Sequence, residues 1–462
     1  MSNGTSQETI PLFVKQPKVY PREIKGRFAR LRVIAAWALL GLYYVLPWIS
    51  INGQQVVLFD LVNRQFHIFG LTLWPQDLII LSLLLAMAAL TLFFFTALAG
   101  RLWCGYACPQ TVWTEVFLWM ERITEGRRNR RMKLDAGPWN RDKITRKSAK
   151  QFLWITFALW TGFTFVGFFV PIRDLGVRAL DFNLGGWETF WLFFYAFATY
   201  GNAGYLREQV CKYMCPYARF QSAMFDDDSL VISYDVARGE PRGPRKKSAD
   251  PAELGLGDCI DCMACVQVCP TGIDIRDGLQ IECIACAACI DACDDIMDKM
   301  NYPRGLIRYS TENAMAGRPT RVLRPRIFIY LAALLAMATL VGLVIAGRDP
   351  LLVDVLRDRT ALHRVADDSL ENPYTLKLTN RTERELEVSL DVEGIDGIVI
   401  VRPRHPVRIA PSQVANQPLT IGLPIDQARA GMHEITLVAS DTRGQVLSRT
   451  ETRFFIPARA LE

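Results

Sequence analysis

Histidine is scarce in this chain. The 462 residues hold only four, His67, His363, His405 and His433, and none lies in an apolar run long enough to cross a bilayer. A haem b buried among helices would need histidine ligands there, and a c-type haem needs a C-x-x-C-H motif, which is also missing. The four histidines therefore read as ordinary surface or core residues. Cysteine stops at Cys293, so disulfides play no part in the C-terminal tail. The opening, MSNGTSQETIPLF, has neither the basic start nor the short apolar core of a cleavable signal peptide. No basic patch is interleaved with aromatics, and nothing points to nucleic acid.

What is present is a dense, ordered set of cysteines. From Gly257 to Asp295 the chain reads GDCIDCMACVQVCPTGIDIRDGLQIECIACAACIDACDD. Cys259, Cys262, Cys265 and Cys269 are spaced C-x2-C-x2-C-x3-C-P, and Cys283, Cys286, Cys289 and Cys293 repeat the spacing with Asp294 in place of proline. Three close thiolates converge on one cubane, while the fourth is displaced and ligates the other. This spacing predicts two [4Fe–4S] clusters, one on Cys259, Cys262, Cys265 and Cys293, the second on Cys283, Cys286, Cys289 and Cys269. Zinc sites use paired C-x2-C hooks rather than two interleaved quartets.

Half the composition is apolar and 11% is aromatic, which makes a multi-domain membrane chain plausible. Five windows approach the ~20 residues needed to cross a bilayer: Leu31 to Ile51, Leu78 to Gly100, Phe152 to Pro171, Trp187 to Leu206 and Ile327 to Gly347. The fourth is weakened by Glu188, Asn202 and several glycines. Lys and Arg crowd the N-terminal tail (Lys15, Lys18, Arg22, Lys25, Arg27, Arg30) and the segment from Arg127 to Lys150, whereas Asn52 to Asp77 carries only Arg64. The positive-inside rule then puts the N-terminus and the cluster cysteines in the cytoplasm and the C-terminal tail outside. All twelve cysteines fall on that reducing side.

The other four cysteines form a duplicated pattern. RLWCGYACPQTVW follows the second run and REQVCKYMCPYARF follows the fourth, each with C-x-Y-x-C-P, so that Cys104 and Cys108 correspond to Cys211 and Cys215. An internal repeat of two helices plus a cysteine pair places sites at the repeat interface. Pro109 and Pro216 suit the first turn of a helix. Cys108 and Cys215 are then expected at helix N-termini, where the dipole lowers a thiol pKa and readies a thiolate. Soft thiolates favour Cu(I), zinc or an iron–sulfur centre; the bland alternative is four small hydrophobes packed in a core.

The expected organisation is an N-terminal tail (1–30), a membrane domain of four helices with both C-x3-C-P motifs (31–236), a linker (237–256) and a ferredoxin-like segment (257–300). A second linker (301–326), a fifth membrane helix (327–347) and a β domain (348–462) follow. In the last, alternating runs such as YTLKLTN, ELEVSLDV and HEITLVAS predict an antiparallel, Ig-like β-sandwich of roughly seven strands, for docking or for stability.

This order of elements, with WCGYACPQTVWTE and CKYMCPYARFQSAMFD in particular, resembles the FixG/RdxA/CcoG family of cytochrome oxidase accessory proteins over nearly the whole chain. The resemblance implies an inner-membrane protein of Gram-negative bacteria with two [4Fe–4S] clusters on the eight ferredoxin cysteines. It further implies a cupric reductase activity, in which Cys104, Cys108, Cys211 and Cys215 handle copper for assembly of cbb3-type oxidase. The partners implied are oxidase assembly proteins, a copper-transport ATPase and a cytoplasmic electron donor. Two other readings stay open at this point: a quinol-linked electron-transfer protein like the similar NapH and NosR proteins, and a non-catalytic assembly scaffold.

Overall fold

The computed structural model describes residues 18–458 except 52, 223, 252, 358–361, 367–368, 383 and 404. The MSNGTSQETIPLF opening and Lys15 lie outside the described residues. The chain divides into two compact units, Met1–Ile49 with Ala86–Ala336, and Ser50–Leu85 with Met337–Glu462.

The first unit is helical. Its elements are α1 (Arg27–Val45), the later part of α2 (Leu78–Ala99), α3 (Leu102–Tyr106), α4 (Pro109–Glu125), α5 (Arg128–Ala136), α6 (Arg141–Val166), α7 (Ile172–Leu180), α8 (Gly186–Thr199) and α9 (Pro216–Ser222). Between α8 and α9 the backbone widens into π-helical turns at Tyr200–Leu206 and Val210–Met214. Among the described residues three helical segments are long and apolar enough to cross a membrane: Arg27–Trp48, Pro75–Ala99 and Pro325–Ala346. The third and fourth expected runs fall on α6 and α8, which miss that standard for physical reasons. The first half of α6 is charged, and α8 is 14 residues long before the π turn begins.

The two helices pack antiparallel. Phe165 stacks on Tyr195 at 3.6 Å between ring centroids, and Gln151 reaches Tyr205 at 3.0 Å. Gly162 lets the α8 backbone at Leu192 approach where any side chain would collide. The charged half of α6 is buried against α4: Lys150 pairs with Glu125 at 2.9 Å, and Lys147 with Glu125 at 3.0 Å.

The remaining elements of this unit are β6 (Val231–Tyr234), α10 (Val236–Gly239), α11 (Ala264–Val268), α12 (Ala288–Met300), β7 (Ile307–Ser310), α13 (Glu312–Met315) and the start of α14 (Pro325–Ala346). Strands β6 and β7 pair antiparallel, Tyr234 opposite Ile307. The cluster segment is therefore clamped from residue 231 to 310 and not hung between free linkers. The stretch read as a linker at 237–256 is tied down, with Gly257 N–H donating to the Pro241 carbonyl at 2.9 Å. The one read as a linker at 301–326 carries β7. The N-terminal segment docks on the same body: Asp291 of α12 accepts from the backbone N–H of Phe28 at 3.2 Å and of Ala29 at 2.7 Å, capping α1.

The second unit is mostly β-structure. It contains the short strands β1 (Ser50–Ile51) to β5 (Leu71–Leu73), with β2 (Gln54–Gln55), β3 (Val57–Asp60) and β4 (Gln65–Ile68) between them. Its C-terminal part comprises β8 (Leu351–Arg357), β9 (Arg364–Ala366), β10 (Ser369–Asn380), β11 (Leu386–Glu393), β12 (Val399–Arg402), β13 (Val407–Ile409), β14 (Val414–Pro424), β15 (Gly431–Asp441) and β16 (Val446–Ile456). These form two sheets, β12-β14-β10-β8 with β9 on β10, and β13-β11-β15-β16. Alternate residues such as Tyr374, Leu376 and Leu378 of β10 meet Leu437 and Phe454 of the other sheet in one core. The β3–β5 hairpins belong to the same unit. Asp77 is buried between Arg348 at 2.7 Å and Arg381 at 3.2 Å, and Thr72 hydroxyl lies 3.3 Å from that of Ser412.

Candidate functional site

The two cysteine loops have one conformation. Asp261 and Met263 in the first, Ala285 and Ala287 in the second, all take positive φ between 53° and 59°. Side chains other than glycine rarely accept that region, and its repetition at matching places marks a backbone held for a purpose. Cys259, Cys262, Cys265 and Cys293 line one small cavity, whereas Cys269, Cys283, Cys286 and Cys289 line another, to which Cys265 also contributes. A cubane is larger than one ion, so its thiolates stand around a space. Among the described residues no three His, Cys, Asp or Glu side chains converge on a single-ion site. Burial pushes Cys265, Cys283 and Cys293 each up to about 12; cluster binding there must release the thiol protons. Cys262 alone of the eight is exposed.

The duplicated cysteines lie beside the second loop. Cys104 and Cys211 both pack against the core that holds Cys286, Ile284 and Val268. A side chain added at Gly105 would stand 2.9 Å from the Cys286 Cα. Arg101, buried, donates to the carbonyls of Ile281 and Cys283, the latter at 3.2 Å, and to that of Ala218 in α9 at 2.5 Å. One guanidinium thus links the first motif, the second motif and the second cluster loop. Tyr309 of β7 donates to the Ala285 carbonyl at 2.6 Å, and Arg32 of α1 donates to that of Cys286 at 2.6 Å.

Helices α4 and α9 do begin at Pro109 and Pro216. At Cys108 the expected lowering of thiol pKa is corrected, and the other cysteine of each motif is raised too. Burial pushes Cys104 up to about 12 and Cys211 up to about 11, each raised further by neighbouring thiols. Burial also raises Cys108, although N–H groups of Thr111 and Gln110 at the helix start pull the other way. Desolvation outweighs the dipole. The four thiols are neighbours but form no closed chelate among the described residues. His67 is a satisfied buried residue, its ring bonded to Thr72 at 2.9 Å, and His433 bonds the Arg429 carbonyl at 2.7 Å.

Arg101, Gly105, Arg32, Asp291 and Tyr309 were not singled out by motif. An arginine closing an apolar run reads as a charge that sets orientation, and nothing local shows that Arg101 turns inward.

Paired four-cysteine loops on a chain with membrane-length helices define an iron–sulfur electron-transfer protein of membrane type. Family models for a 4Fe-4S dicluster domain and a 4Fe-4S binding domain match residues 206–312 and 80–130, and the IG-like fold at the C-terminal of FixG matches 341–457. The chain is 37% identical to Nitrogen fixation protein FixG of Rhizobium meliloti, over 97% of this chain and 95% of that one. It is 39% identical to Protein RdxB of Cereibacter sphaeroides, over 89% of each. A crystal structure of a FixG-related protein from Vibrio parahaemolyticus is 32% identical, covers 24% of this chain and 99% of that one, and has a TM-score of 0.22. The chain belongs to the FixG family.

Proposed function

We propose that this protein is a membrane cupric reductase, passing electrons from a cytoplasmic donor through two [4Fe–4S] clusters to Cu(II) at Cys104, Cys108, Cys211 and Cys215. The observation that carries this reading is the packing of Cys104 and Cys211 on the core of Cys286, with Gly105 against the Cys286 backbone. Cys259, Cys262, Cys265 and Cys293 would hold one cluster, and Cys269, Cys283, Cys286 and Cys289 the other. Bound there, the clusters supply one-electron transfer. In this reading a donor docks beside exposed Cys262, and the acceptor lies beside Cys286, against whose core Cys104 and Cys211 pack. Neutral thiols at Cys104 and Cys211 exchange a proton for a soft cation, and four of them favour Cu(I) over Cu(II). The Cu(I) is then handed to a copper-transport ATPase or to assembly of cbb3-type oxidase.

The same reading has α6 and α8 cross the inner membrane as the third and fourth of five spans. Their outward side chains support it: Trp187 and Phe197 are each 75% exposed, with Phe152, Phe190 and Phe193 also open. Such surface is at home in lipid. The clusters then face the cytoplasm and the β-sandwich the periplasm.

Replacing all four motif cysteines with serine tests the mechanism. The cluster absorption should persist while copper binding and Cu(II)-dependent oxidation of the reduced protein disappear. A four-serine variant that reduces Cu(II) at the wild-type rate would sink the proposal.

A further inference from the structure

The first unit contains a further cavity of about 330 Å³, separate from the two lined by the cysteine quartets although both loops border it. Six cationic side chains line it, Arg22, Lys25, Arg32, Arg122, Arg131 and Arg207, against three acidic ones, Glu23, Glu115 and Glu208. Their pairing is uneven. Arg122 meets Glu23 at 3.0 Å and Glu115 at 3.1 Å, but Arg131 and Arg207 share one carboxylate, Glu121, at 2.7 and 2.6 Å. Arg22 and Lys25 have no ion pair among the described residues. Arg131 and Arg207 are more than nine-tenths buried, yet Nε of the first and Nη1 of the second lack a hydrogen-bond partner among the described residues. Those two nitrogens are sealed from water, so the pull on an anion comes from the surplus of cations around the cavity, Arg22 and Lys25 above all, which no carboxylate among the described residues neutralises. Cys211 and Cys286 stand in the same wall.

From this we infer that the cavity binds a small polycarboxylate anion, and that copper reaches Cys211 as a complex of that anion; the second half rests on the cupric reductase reading. Surplus positive charge repels a hydrated Cu(II) ion. A di- or tricarboxylate chelate reverses that sign, offers oxygen acceptors to Arg22 and Lys25, and is small enough for the space. In the transfer, a reduced cluster held by Cys269, Cys283, Cys286 and Cys289 would supply Cu(II) with one electron and be left oxidised by one. Copper–carboxylate bonds break as copper–sulfur bonds form, and the thiol protons pass to the freed carboxylates, which leave with the anion.

A competing account makes these cations a counter-charge for the cluster alone, and Arg32 on the Cys286 carbonyl suits that role. Calorimetric titration of the cluster-loaded, full-length protein in detergent with metal-free citrate separates the two. Saturable binding is expected, weakened about tenfold or more in Arg207→Gln. Lys25→Gln, at an exposed position, should weaken it several-fold with the cluster spectrum unchanged, and serves if Arg207→Gln fails to fold. Failure of wild-type protein to bind citrate overturns the site, whatever its copper activity. In stopped-flow oxidation of the reduced protein, Cu(II)–citrate should outpace a cationic Cu(II)–polyamine complex, with KM raised more than kcat is lowered in Lys25→Gln. Equal rates for the two complexes would overturn the delivery step, and loss of copper reduction with citrate binding intact would fault the reductase reading alone.

Discussion

Gly105 sits where an added Cβ would lie 2.8 Å from the Ile284 carbonyl oxygen and 2.9 Å from that of Ala285. Both neighbours are backbone in the second cluster loop, so the strain of Gly105→Ala has no flexible side chain to absorb it. Overpacking of this kind costs ~1–3 kcal/mol and here displaces the loop. Iron content should fall from about eight toward about four atoms per chain, with acid-labile sulfide falling in step. Lys212→Ala, at the matching place in the second motif, should leave both unchanged; a fully loaded Gly105→Ala protein would show that the contact is dispensable. Asp135 gives a pH test. Burial opposes its charge, but hydrogen bonds from Lys147, Tyr20 and Lys18 outweigh that and hold the carboxyl well below the usual range. Because the folded pKa is depressed, its stabilising contribution is present above the ordinary carboxyl value of 3.8 and is lost as pH falls below it. Asp135→Asn should therefore speed amide exchange in residues 18–30 at pH 7. The wild type should match the variant only in acid.

Helix α12 serves two neighbours at once, supplying Cys293 to the cavity of the first cysteine loop and Asp291 to the start of α1. Cys293→Ala should therefore remove the cluster of Cys259, Cys262 and Cys265, and Cys269→Ala that of Cys283, Cys286 and Cys289, each read as loss of about four irons. Asp291→Ala should cost ~1 kcal/mol as a lost helix cap, seen as a lower Tm with iron retained. The iron–sulfur character could be read from sequence because each loop carries its cysteines at fixed spacing. The β tail was legible for a similar reason, since alternation is local, although its strand number was understated. What could not be read were contacts across long separations. Arg101 meets Cys283 182 positions away, and no local pattern announces it. At Cys108 the thiol pKa expectation failed likewise: a proline shows where a helix starts, but not how deeply its N-terminus is buried.

The count of membrane crossings is a property of the whole chain and has a direct test. A reporter active only in the periplasm, fused after Asn183 between α7 and α8, should be active if α6 and α8 both cross, and silent if only the three most apolar helices do. Fusion after Gly347 should be active in either case and serves as control. One ionic contact carries a different consequence. Asp77, just after the first hairpins, is neutralised by Arg348, which follows it by 271 residues. At ~5–20 residues per second, a ribosome takes roughly 15–55 s to cover that distance. During that interval the nascent chain exposes a carboxylate that the finished protein buries, and its early hairpins have no sandwich to lean on. Messages truncated before the last helix should therefore yield chains that are inserted but short-lived, cleared by membrane proteases even though every cluster cysteine has been made.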